Sequence, residues 1–222
     1  MKTLALAVML AAAPAAPPPS TVMKTVPATL DPATGYILVR MGERAPDLWN
    51  VLQIAPYDPV LQDIRGEGRA KGNPVAKGAD RTVSIGTKPF VAEGDHVRTY
   101  LVAVTPGLYV VQGGPTTCFC LGSYQFEVAA GRITDMGTIY IGPENGSSPW
   151  AALKPLRSTA DIEERAYTVA EAMQVVPWRD SMSLPPGVSG LAREPARYTV
   201  AARFGNHAGQ LLNRALPIEA GQ

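Results

Sequence analysis

Residues 97–142 read VRTYLVAVTPGLYVVQGGPTTCFCLGSYQFEVAAGRITDMGTIYIG, and the fold is decided there. Val97, Thr99, Leu101 and Ala103 fall on one face of a two-residue period, and Arg98, Tyr100, Val102 and Val104 on the other. Both faces are largely apolar, which predicts an interior strand. Thr105-Pro106-Gly107 then turns the chain, because Pro fixes φ at one corner and Gly accepts a positive φ at the next. Leu108–Val111 is expected to return as the partner strand. Tyr124, Phe126, Val128 and Ala130 alternate with Gln125, Glu127 and Ala129 up to Gly131, a half-buried antiparallel pattern. In the next strand Ile133, Asp135, Gly137, Ile139 and Ile141 alternate with Thr134, Met136, Thr138 and Tyr140, and Asp135 is expected where that strand is not yet buried.

Outward from this centre the signals are weaker. Tyr36–Arg40 is a short apolar strand between Gly35 and Gly42, and Trp49–Ile54 a second one ending at Pro56. Pro59–Asp80 has no sustained period and reads as a long loop, Thr82–Ile85 resumes alternation, and Lys88–Ala92 is an edge piece. Beyond Gly142 the run PENGSSP marks a soft boundary. A helix is predicted over about 160–173 from Ile162, Ala166, Val169 and Met173 at helical spacing, and a returning strand over about 197–204.

Composition agrees with strands and turns. The 222 residues include 21 Gly and 21 Pro, costly in helices, while 46% hydrophobic and 18% charged residues suffice for an ordinary core. The fold class expected is mainly β: an antiparallel β-sandwich over 34–142, followed by a Pro-rich, partly helical extension over 143–222 that returns one strand.

The N-terminus carries the most specific signal. Lys2, the apolar run Leu4–Ala12 and Ala13-Pro14-Ala15 read as a secretory signal peptide over 1–15 with cleavage near Ala15, and 16–33 as an extended Pro-rich linker of little fold. The apolar run is shorter than the roughly 20 residues needed to span a bilayer. The mature chain is therefore expected in the periplasm or outside the cell, without a transmembrane span. The full sequence has a formal net charge of +1, which falls to about zero when Lys2 leaves with the leader; this gives no general pull on phosphate backbones, so nucleic acid is not an expected partner. The basic stretch Arg65, Arg69, Lys71, Lys77 and Arg81 reads as a solvated loop.

Cys118 and Cys120 are the sole thiols. In a flat strand their Cα atoms stand roughly 6.6 Å apart on one face, near the limit of disulfide geometry, so a bridge needs a bent backbone. A local disulfide, two unpaired thiols, and a redox or Cu(I) role all stand open. No paired His-Cys spacing completes a zinc site, and Met136 does not count as a third ligand. His96 and His207 read as loop histidines, Glu163 and Glu164 as a wet helix face, and Trp49, Trp150 and Trp178 as anchors. No nucleophile elbow, HExxH or phosphate-cradling loop occurs, so no catalytic residue and no cofactor is assigned.

The order apolar strand, Pro106-Gly107-Leu108-Tyr109, then Phe126–Gly131 and an Ile-rich strand resembles the prealbumin-like or carboxypeptidase-regulatory-like β-sandwich modules of exported Gram-negative bacterial proteins. In such modules a Pro-Gly-x-Tyr turn joins two strands, which gives Pro106, Gly107 and Tyr109 a structural role here. The resemblance implies support or attachment without catalysis. The reading is thus an exported, non-enzymatic binding or structural module with a protein or envelope partner; the alternative is a thiol-dependent redox or Cu(I)-handling protein using Cys118 and Cys120.

Overall fold

The computed structural model describes residues 20–42, 51–65, 82–86, 89–94, 97–113, 117–119, 122–141, 167–168, 173–176, 184–202 and 211–214. Among these residues the chain is mainly β, with two sheets and no helix. The strands are β1 (Thr21–Val22), β2 (Gly35–Gly42), β3 (Leu52–Asp58), β4 (Asp63–Ile64), β5 (Val83–Ile85), β6 (Ala92–Gly94), β7 (Val97–Val104) and β8 (Gly107–Gly113). They continue as β9 (Thr117–Cys118), β10 (Ser123–Val128), β11 (Ile133–Ile141), β12 (Tyr167–Thr168), β13 (Met173–Val176), β14 (Arg193–Pro195), β15 (Thr199–Ala202) and β16 (Leu211–Arg214).

The first sheet runs β1-β7-β2-β11-β13, with β6 also on β7 and β14 also on β11. The second runs β12-β16-β9-β8-β10-β15, with β3 on β8 and with β4 and β5 on β3. Pairing is mixed: β2 lies parallel to β11, as does β14, while β7 is antiparallel to β2. The all-antiparallel expectation is therefore corrected at the centre of the first sheet. Parallel pairing arises because β2 and β11 are far apart in sequence, and no hairpin turn forces them to reverse.

Alternation places the core between the sheets. Ile37, Val39 and Met41 of β2, Tyr100, Val102 and Val104 of β7, and Met136 and Ile139 of β11 share one apolar cluster with Ile54 of β3, Tyr109 and Val111 of β8, and Tyr124, Phe126 and Val128 of β10. Each such side chain contributes about 1.5–3 kcal/mol of burial free energy. This two-faced core is consistent with a sandwich.

The turn at Pro106-Gly107 does something other than close a hairpin. β7 and β8 belong to different sheets, so Leu108–Val111 is not the partner of β7; its neighbours are β10, β3 and β9. The chain crosses from one sheet to the other, with Gly107 at φ +150° and the Tyr109 hydroxyl donating to the Thr105 carbonyl at 2.7 Å. A second crossing returns at Gly131, whose N–H donates to the Thr34 carbonyl at 2.9 Å and whose φ is +70°. Short turns between apolar strands signal reversal, but they do not say whether the reversal stays within one sheet.

The outer face of the first sheet is covered as well. Tyr36, Leu38, Leu101 and Ile133 pack with Met23, Val26 and Leu30 on one side and Leu184, Val188 and Leu191 on the other. Residues 20–33 contribute β1 and pack Met23, Val26 and Leu30 against the first sheet. β3 also continues past its expected end, with Pro56 opposite Tyr109. Within the expected 59–80 loop, residues 59–62 turn into β4, which pairs back on β3. The signal peptide and the helix about 160–173 lie outside the described residues, save Tyr167–Thr168 and Met173, which are in strands. Within 197–204, β15 pairs antiparallel to β10.

Candidate functional site

Arg40 and Asp135 are the charged pair at the centre of the outer face. Arg40 Nη1 donates to Asp135 Oδ1 at 2.9 Å and Nη2 to Oδ2 at 3.2 Å, a bidentate pair whose side chains are 6% and 0% exposed. The expectation that Asp135 lies in an unburied part of its strand is corrected: it is buried, with Pro195 of β14 paired beside it and Arg193 Nη1 3.7 Å from Oδ2. A charge so deep is tolerated because its partner and its hydrogen bonds replace water.

A bulge in β11 makes the pairing possible. Asp135 stands opposite Leu38 and Thr138 opposite Arg40, so three steps on β11 match two on β2. Gly137 takes φ +79°, and its N–H donates to Asp135 Oδ1 at 2.8 Å. In an unbroken strand, positions 135 and 138 would face opposite sides. The bulge turns both to the outer face and sends Met136 and Ile139 to the core. The 193–198 segment clamps it: Ala196 N–H donates to the Asp135 carbonyl at 2.8 Å, and the Tyr198 hydroxyl to the Met136 carbonyl at 2.7 Å. Burial, with Asp135 and Tyr124 nearby, pushes the Tyr198 phenol well above its usual range, so this donor keeps its proton.

Thr99, Arg40 and Thr138 form a row across β7, β2 and β11 and floor a cleft of about 310 Å³. Ala92–Gly94 of β6 and Val97 form one wall, and Leu184-Pro185-Pro186 the other. The Glu93 carboxylate accepts from Arg98 Nε at 2.7 Å on the face of β6 and β7 opposite to Thr99. All three floor residues are buried, at 7%, 5% and 7% exposure. A guanidinium has five N–H donors, and Arg40 gives two to Asp135. Its Nε is buried with no hydrogen-bond partner among the described residues. A second hollow, lined by Leu108, Phe126, Glu127, Arg132, Glu194 and Arg197 among others, has its Arg132–Glu194 pair at the surface.

The sequence-assigned residues lie elsewhere. Pro106, Gly107 and Tyr109 form the sheet-to-sheet crossing. The backbone of Cys118 ends β9, opposite Gly113 and Leu212; its side chain and Cys120 lie outside the described residues, as do His96, His207, Glu163, Glu164 and the three tryptophans. Among the described residues no group of three or more metal-ligating side chains occurs, and no helix is long and apolar enough to cross a membrane. Arg40 and Asp135, 95 residues apart, were missed as a pair, although each is the lone charge in its strand. No protein-family model, curated protein or solved structure matches the chain.

Proposed function

We propose that the chain is an exported, non-enzymatic binding or structural β-sandwich module acting on a protein or envelope component. The observation that carries this reading is the cleft on the outer face. Its floor offers donors set on a buried ion pair, while the Asp135 carboxylate is already occupied by Arg40 and the Gly137 N–H. A carboxylate so engaged serves architecture better than proton transfer, and a concave, rigidly floored surface suits recognition. The N-terminal sequence Met1–Ala15 supports export, and two sheets sharing one core support the sandwich part of the reading.

Fractionation of Gram-negative cells expressing the tagged full chain, followed by native cross-linking, tests the proposal. The expected result is a chain shortened near Ala15, found in the periplasm and cross-linked to a protein or envelope component. A full-length chain kept in the cytoplasm, or periplasmic protein without any such adduct, refutes it.

A second reading, thiol-dependent redox or Cu(I) handling by Cys118 and Cys120, draws its support from the sequence, in which these are the sole thiols and stand two residues apart. Thiol labelling before and after reduction, with copper analysis of the same sample, tests it. Reversible oxidation or stoichiometric copper supports it, and inert thiols without copper refute it.

A further inference from the structure

We propose that the outer-face cleft binds a small monocarboxylate, its oxygens received by Arg40, Thr99 and Thr138 and its apolar body by Val97 and Leu184-Pro185-Pro186. This deepens the binding-module reading and rests on it. The argument begins with an imbalance. Arg40 is nine-tenths buried yet gives only two N–H groups to Asp135, and its Nε lacks an acceptor among the described residues. A buried donor left unsatisfied costs about 1–3 kcal/mol, and the sealed Nε shows that the guanidinium is not fully satisfied from within the fold. Asp135 takes one N–H from each terminal nitrogen, and the other N–H groups of Nη1 and Nη2 are the donors that an acceptor in the cleft lined by Arg40 can use.

The neighbours define that acceptor. Thr99 and Thr138 flank Arg40 in register and add hydroxyl donors, so the floor is rich in donors and suits the lone pairs of a carboxylate. Charge sets the limit. Asp135 pairs with Arg40 and has Arg193 Nη1 3.7 Å from Oδ2, while Glu93 pairs with Arg98 on the opposite face of β6 and β7, so the floor sets two guanidinium groups against one carboxylate and matches a monoanion better than a dianion such as phosphate. The proline wall and Val97 offer apolar surface, and about 310 Å³ lies at the small end of ligand pockets.

Titration calorimetry of the mature chain with 3-phenylpropanoate, 3-phenylpropanamide and inorganic phosphate tests the inference. The acid is expected to saturate with Kd of about 1 mM or tighter, and the amide and phosphate to bind at least tenfold more weakly. An N-acetylated tripeptide ending in Phe presents the same carboxylate on a chain end; binding tighter than the free acid assigns the cleft to peptide termini, and weaker binding to free acids. Arg40 also holds the fold together, so the variant to use is T99V/T138V, which keeps side-chain shape and whose folding is checked by its urea midpoint. Its affinity for the acid is expected to fall about tenfold. No saturable binding of the acid, equal binding of acid and amide, an unchanged affinity in T99V/T138V, or a crystal soaked in the acid with only water on Arg40 overturns the proposal. Export and partner capture are scored separately by fractionation, so a wrong ligand class is distinguishable from a wrong binding-module reading.

Discussion

Substituting Asp135 by Asn retains an oxygen that can accept the Gly137 N–H but removes the charge facing Arg40. The guanidinium then stays buried, 6% exposed, without a carboxylate partner among the described residues, and its second hydrogen bond meets an amide that must turn a donor toward it. Breaking a buried pair from one side costs about 3–5 kcal/mol, because one charge is left uncompensated. Against a total stability of about 5–15 kcal/mol this is a large share. With a urea m-value of about 2 kcal/mol/M, Asp135→Asn should lower the unfolding midpoint by roughly 2 M at unchanged m. Removing both charges is a different perturbation. Arg40→Met with Asp135→Leu replaces the pair by apolar side chains of similar volume on a face already lined by Leu38, Leu101 and Ile133, and should recover most of the loss. Equilibrium urea unfolding followed by tyrosine fluorescence and circular dichroism measures both. A cost below about 1 kcal/mol for the single variant would refute the assignment of Asp135 as a buried, paired charge.

Gly137→Ala should cost about 1–2 kcal/mol, because the bulge holds φ at +79°, and the same unfolding assay reads it. Tyr109→Phe removes the hydroxyl that donates to the Thr105 carbonyl and should cost about 0.5–1.5 kcal/mol without altering the circular dichroism. Burial pushes the Tyr124 phenol up to about 12 and Tyr198 well above its usual range. A raised phenol favours the protonated fold, so this stabilisation is complete below about pH 10, the ordinary tyrosine value, and is lost as pH climbs through about 12. Tyrosinate absorbance should show two of the eight tyrosines ionising only as the chain unfolds, whereas uniform titration near pH 10 would contradict their burial.

What the sequence made legible follows from periodicity. β7 was readable on both faces because Tyr100 and Val102 enter the core while Leu101 packs under the residues that cover the outer face. β10 was equally plain, with Tyr124, Phe126 and Val128 buried and Glu127 exposed. Alternation says nothing about which strand lies alongside, so the crossing at Pro106-Gly107 passed for a hairpin, and β2 gave no sign of its parallel neighbour. The candidate site was hidden for a sharper reason. A strict two-residue count through ITDMGTIYI puts Asp135 and Ile139 on one face, and only the extra residue at the Gly137 bulge separates them. Gly137 itself was the available clue, since an isolated glycine in a strand marks a bulge as often as a weakness. The partner Arg40 could not be inferred from spacing, because a buried pair 95 residues apart is made by topology alone.

The central claim is that a buried arginine with unspent donors underlies a binding cleft, and its own Nε–H resonance tests this most directly. In a nitrogen-proton correlation spectrum at neutral pH, an Arg40 Nε–H assigned by its loss in Arg40→Lys should be visible and slow to exchange with solvent, because the group is enclosed. Added 3-phenylpropanoate should shift it saturably, and 3-phenylpropanamide should leave it in place. An Nε–H that exchanges as fast as those of exposed arginines, or that stays put under saturating acid, would contradict the claim.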